Sequence, residues 1–172
     1  MRLGILGGSF DPVHAGHLKL AREAMSELNL SGVVLVPCRL SPLKGRPPVL
    51  SGRERLERLR RALAGRKGLS VSDCELRRRG PSYTVDTLRY FRRRHPRAAL
   101  YFLAGADTAR SLRRWKALPE VLKLCRFVVA SRPGYRSGRL PKGALALAFD
   151  ALPVSSTQLR RRFRARGRRT RT

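Results

Sequence analysis

The chain has 172 residues, 42% of them hydrophobic, with 39 Lys+Arg against 11 Asp+Glu and a formal charge of +28. That is long enough for one domain with a sizeable core and too apolar for a disordered chain. No apolar run approaches the ~20 residues of a membrane-spanning helix, and no leader pattern precedes the first strand. Cys38, Cys74 and Cys125 form no CxxC pair, so a reducing cytoplasm is the expected location. The basic residues are 33 Arg and 6 Lys, and Asn29 and Gln158 are the only amides. Arginine in place of lysine throughout, with amides almost absent, points to genome-wide codon bias or a hot habitat more than to a nucleic-acid partner. Nucleic acid is not expected; a basic surface attracts nucleotides in any case.

Strand and helix patterns alternate along the chain. "RLGILGG" (2–8) is an apolar strand entering a glycine turn, and residues 17–30 place Leu18, Ala21, Met25 and Leu28 at helical spacing. "GVVLVP" (32–37) is a β-branched run stopped by Pro37, as in a buried parallel strand. "SGRERLERLRRALAG" (51–65) opens with Ser51 and Glu54 in capping-box spacing and carries Leu56, Leu59 and Leu63 on one face. "LSVSDCEL" (69–76) reads as a strand, followed by a helix from about Thr84 to His95 that Pro96 ends. "ALYFLAG" (99–105) is another buried strand, with helical material over 107–124 behind it. "RFVVAS" (126–131) and "ALALAF" (144–149) complete the strands, and a last helix starts near Ser155. The expectation is an α/β fold, a single-domain Rossmann-like open parallel sheet with helices on both faces, over residues 1–163. Residues 164–172 then form a short tail; eight of the last thirteen residues are arginines.

In such sheets ligands sit beyond the carboxyl ends of the strands, at the topological switch point. Gly7–His17 follows the first strand, Pro37–Lys44 the second, Gly105–Asp107 a central one and Ser131–Tyr135 the next. Gly7 and Gly8 let the backbone approach a ligand closely, and the helix behind them offers its N-terminus to an anion. His14 and His17 stand about one turn apart at that helix start, where both rings can face one ligand. His95, the remaining histidine, lies in a solvated "RRRHP" stretch, and the cysteines are scattered. Metal ligation by the pair, or by any side-chain cluster, is therefore not expected. A hydrolytic triad lacks its Gly-x-Ser-x-Gly elbow. Phosphate binding and a purely structural pair both stay open on these residues alone.

"GGSFDPVHAGH" (7–17) resembles the nucleotidyltransferase signature with its His-x-Gly-His element, and "VSSTQLRRR" (154–162) resembles that superfamily's Ser-Ser-Thr-x-x-Arg motif. Three further stretches are similar to segments of the nicotinate-nucleotide adenylyltransferase family: "GPSYTVDTL" (80–88), "LAGADTARSLRRW" (103–115) and "SRPGY" (131–135). The matches run from residue 4 to about residue 163. The resemblance implies transfer of the adenylyl group of ATP to nicotinic acid mononucleotide, with Mg²⁺ carried by the ATP phosphates. It assigns catalysis to His14, His17 and Arg160. ATP falls to Gly7, Gly8, Ser9, Phe10, Gly16, Gly105, Asp107, Ser156 and Thr157. The mononucleotide falls to Lys44, Tyr83, Thr84, Trp115 and Arg132, with Trp115 against the pyridine ring. There are two departures. "SPLKG" has Leu43 where the family commonly has histidine, and the chain ends at Thr172, where relatives usually continue into a further helix. Monomer and homo-oligomer both stay open.

Overall fold

The computed structural model describes residues 1–105, 111–131, 142–148 and 156–160. In chain order the elements are β1 (Arg2–Gly8), α1 (Ala15–Glu27), β2 (Gly32–Pro37), α2 (Gly52–Leu63), β3 (Leu69–Val71), α3 (Thr84–Arg94) and β4 (Ala99–Gly105). A 3-10 turn (Leu112–Arg114), α4 (Leu118–Leu124), β5 (Arg126–Ser131) and β6 (Leu145–Ala148) follow. Residues 156–160 are helical. Asp107, Arg132 and the tail 164–172 lie outside the described residues.

The six strands form one parallel sheet in the order β3-β2-β1-β4-β5-β6. The first strand is therefore central, and the chain reverses its direction of winding between β1 and β4. Leu6 pairs with Leu35 on one side and with Leu103 on the other, so the end of β1 lies between two strand ends.

Alternation along the strands makes two cores. Leu3 and Ile5 of β1 pack with Val85, Leu88 and Phe91 of α3 and Val121 of α4. Leu6 points the other way, onto Leu20, Ala21 and Ala24 of α1 and Leu59 and Leu63 of α2. Helices cover both faces, as buried parallel strands require. The cap of α2 is the one its sequence announces. Ser51 Oγ accepts the Glu54 N–H at 3.2 Å, and the Glu54 carboxylate accepts the Ser51 N–H at 2.8 Å. Such a cap is worth about 1 kcal/mol.

Three expectations need correction. The strand expected over 69–76 stops at Val71, because Ser72 and Asp73 turn the chain. Ser72 Oγ accepts the Cys74 N–H, and Asp73 O accepts the Arg77 N–H. The helical material expected over 107–124 is broken, with a 3-10 turn and α4 separated by Ala117 in left-handed backbone (φ 50°). In α2 the buried face is Arg55, Leu59 and Leu63, while Leu56 is only half-buried. An arginine thus occupies a core position that period counting gives to leucine.

Candidate active site

A cleft of about 560 Å³ opens at the carboxyl ends of β1 and β4, where the winding reverses. Gly7, Gly8, Ser9, Lys44, Tyr83, Thr84, Gly105 and Trp115 all line it, so residues from both assigned groups meet in one place. At Gly105 a β-carbon would meet nothing within 4 Å among the described residues. The other two glycines have a packing reason as well. A β-carbon on Gly7 would lie 3.2 Å from the Phe102 ring, and one on Gly8 3.2 Å from the Phe10 ring. Trp115 has its ring edge against Phe102 and Phe127, both at 5.6 Å between centroids, and still lines the cleft. It is core and wall at once. Leu43, at the departure from the family histidine, lines the same cleft.

A second cleft, about 330 Å³, is lined by Ser9, Asp11, Lys44, Thr157 and Arg160 among others. Ser9 and Lys44 belong to both clefts, and Lys44 Nζ donates to Ser9 Oγ at 3.0 Å. The two sequence motifs are joined here. Arg160 Nη1 donates to the Asp11 carbonyl at 2.7 Å, and Ser156 Oγ donates to the Pro12 carbonyl at 3.0 Å. Arg160 also donates to Thr157 Oγ1, and its guanidinium stands 3.7 Å from the Asp11 carboxylate.

His14 and His17 stand at the start of α1 with ring centroids 3.7 Å apart. The His14 N–H donates to His17 Nδ1 at 3.2 Å, which leaves the neutral ring's proton on Nε2. Burial, then the charges of His14 and Lys44, hold the His17 pKa down to about 3. Burial lowers His14 too, and among the described residues its buried Nδ1 has no hydrogen-bond partner. A buried ring nitrogen without a partner is costly unless a ligand satisfies it. Gly16 sits between them in the first turn of α1. Phe10, like His14, Gly16 and His17, is absent from the lining of both clefts. It is 1% exposed, and its ring packs in the α1–α2 core edge-on to His17. What Phe10 provides is support for His17.

The buried state of His17 has a pH consequence. The unfolded chain takes up a proton near pH 6.5 that the folded chain refuses, so stability falls as pH drops from about 6.5 towards 3. The expected slope is up to about 1.4 kcal/mol per pH unit more than in His17→Asn, measured by urea unfolding at a series of pH values. Equal slopes in the two proteins would refute the assignment.

Three contributors escaped sequence reasoning. Arg55 is 2% exposed and donates to the carbonyls of Ser9 (2.8 Å), Cys38 (2.7 Å) and Leu50 (3.2 Å). It ties together the loops behind β1 and β2. Asp11, also buried, accepts the N–H groups of Val49 and Leu50. Glu75 lines the larger cleft and accepts from Thr87 Oγ1 at 2.6 Å; burial pushes its carboxyl up. Its place four residues before Leu59 on the buried face of α2 shows only once the core is assembled.

Comparison with known proteins decides the family. The Cytidylyltransferase-like family model matches residues 5–162. A protein of Exiguobacterium sibiricum named "Probable nicotinate-nucleotide adenylyltransferase" is 42% identical over 98% of this chain and 88% of its own length. The chain belongs to the nicotinate-nucleotide adenylyltransferase family. Another family member, from Opitutus terrae, is 40% identical over 95% of this chain and 86% of its own length. Among solved structures, the Plasmodium falciparum nicotinic acid mononucleotide adenylyltransferase complexed with NaAD shares the fold. Its TM-score is 0.74 at 19% identity, covering 93% of this chain and 82% of that one. No described helix of this adenylyltransferase is long and apolar enough to cross a membrane.

Proposed function

We propose that the enzyme joins ATP to nicotinic acid mononucleotide, forming nicotinate adenine dinucleotide and releasing pyrophosphate. A phosphate oxygen of the mononucleotide attacks the α-phosphorus of ATP, and the bond from that phosphorus to the bridging oxygen of the β-phosphate breaks. The observation that carries this reading is the meeting of two clefts at Ser9 and Lys44. The larger presents Trp115, Tyr83 and Thr84 to a pyridine ring; the smaller presents Thr157 and Arg160 to a polyphosphate.

Such a reaction needs no protein nucleophile. The protein positions two anions and neutralises charge as it develops on phosphoryl oxygens. His17, neutral with its proton on Nε2, donates a hydrogen bond, and the unpartnered Nδ1 of His14 waits beside it. Arg160 and Lys44 supply fixed charge, with Ser156 and Thr157 holding the second motif against the first loop. Asp107 and Arg132 keep the ATP and mononucleotide roles that the resemblance gives them. Among the described residues no three His, Cys, Asp or Glu side chains group to hold a metal ion. Mg²⁺ brought with ATP would be held by phosphate oxygens and water, and would supply charge neutralisation at the triphosphate. We place the enzyme in the cytoplasm.

The acid form of the acceptor is expected to be preferred. A Trp face holds either pyridine ring, so selection falls to donors, and the first amides of α3 have no intrahelical carbonyl to bond. A carboxylate accepts from them, while the amide's NH₂ turns a donor towards a donor. Leaving that pair unmatched corresponds to about 5- to 150-fold in catalytic efficiency. A pyrophosphate-release assay with ATP-Mg and the acid mononucleotide, the amide mononucleotide or phosphopantetheine tests it. Equal or greater efficiency with either alternative acceptor would overturn the substrate.

A further inference from the structure

We propose that Glu75 is a positioning residue whose carboxyl anchors the joint between the loop behind β2 and the loop before α3. The joint fixes the span from Lys44 to the aromatic wall, across which the mononucleotide must stretch; the inference rests on the adenylyl-transfer reading. Ser82 is bonded to the β2 loop twice. Its N–H donates to the Leu40 carbonyl at 2.8 Å, and its Oγ accepts the Arg39 N–H at 2.9 Å. Arg39 Nη1 reaches back to the Arg78 carbonyl at 2.9 Å. Lys44 lies four residues beyond Leu40, Tyr83 follows Ser82 directly, and both line the larger cleft. One end of the acceptor would sit on each side of the joint.

Glu75 holds the joint from within. It is 6% exposed and accepts from Thr87 Oγ1, in the first turn of α3, at 2.6 Å. Thr87 Oγ1 in turn accepts from Arg78 Nη2 at 2.8 Å. Burial pushes the Glu75 carboxyl up, and hydrogen bonds from Thr87 and from the Ser82 side chain oppose that shift. One rigid carboxyl bonded to two hydroxyls from different segments fixes their separation. Among the described residues Glu75 is the one carboxyl lining that cleft. A bare carboxylate there would repel two anionic substrates; the Arg78 guanidinium, one hydroxyl away, offsets its charge. An apolar side chain would fill the same volume without that conflict, so what the carboxyl adds is directed bonding.

Steady-state kinetics of the wild type, Glu75→Met, Glu75→Gln, Ser82→Ala and the Glu75→Met/Ser82→Ala double variant test the joint, with nicotinic acid mononucleotide and ATP each varied. Glu75→Met should raise KM for the mononucleotide about tenfold and lower kcat by a similar factor, because the span is lost. KM for ATP should change less than about twofold, since the smaller cleft is lined without Glu75. Glu75→Gln can accept from Thr87 and donate to Ser82 Oγ, and should restore kcat/KM to within about threefold of the wild type. The double variant should be no worse than the poorer single variant, because both break one joint. Wild-type kinetics in Glu75→Met, failure of Glu75→Gln to rescue, or multiplied losses in the double variant would each overturn the proposal. If Glu75→Met does not fold, an unchanged mononucleotide KM in folded Ser82→Ala overturns it equally. All these outcomes leave adenylyl transfer standing. A wild type that forms no dinucleotide from the acid overturns the functional reading, and this inference with it.

Discussion

Replacing His17 by alanine is expected to lower kcat by about 10²–10³, the usual cost of one donor aimed at developing oxyanion charge. The geometry says why the effect should fall on turnover. His17 is buried against Phe10, its Nδ1 is occupied by the His14 N–H, and Nε2–H has no acceptor among the described residues. Alanine deletes that donor and also unpins the first turn of α1. Kinetics on a variant whose circular dichroism and unfolding midpoint match a folded protein separate the two effects. Near-normal kcat in such a protein would remove His17 from the reaction.

The second large effect is expected at Arg55. Arg55→Met fills most of the volume but leaves the carbonyls of Ser9, Cys38 and Leu50 without their donor. Hydrogen bonds from a charged group are worth about 1.5–3 kcal/mol each, and burying the guanidinium offsets part of that. A net loss of at least about 2 kcal/mol is expected in urea unfolding, with weakened turnover because the Ser9 loop belongs to both clefts. A change below about 0.5 kcal/mol, the range of ordinary surface substitutions, would mean those carbonyls are satisfied by other means.

Much of the scaffold is legible in the residues. β1, β2, β4 and β5 fall where short apolar runs bounded by glycine, proline or charge place them, because strands buried on both faces are apolar at every position. The β3 region was overread: Ser-x-Asp chemistry turns a chain that hydropathy alone would continue. The histidines and Trp115 stand out as candidate site residues because their types are scarce in this chain. Arg55 and Glu75 were not. In a chain with 33 arginines, one more charged residue on a helix carries no signal until the core is assembled around it. Phe10 lies inside a signature motif, and its described contacts are packing contacts in the α1–α2 core and against His17.

Arg55 has no carboxylate within ion-pair distance among the described residues; three carbonyl dipoles hold it. A charge without a counter-ion is not cancelled, and under a folded layer of protein it is screened less by salt than a surface charge. The floor beneath the Ser9 loop therefore carries a standing positive potential. On the proposed adenylyl-transfer reading, the imidazoles would supply directional hydrogen bonding and the buried guanidinium long-range attraction of polyphosphate.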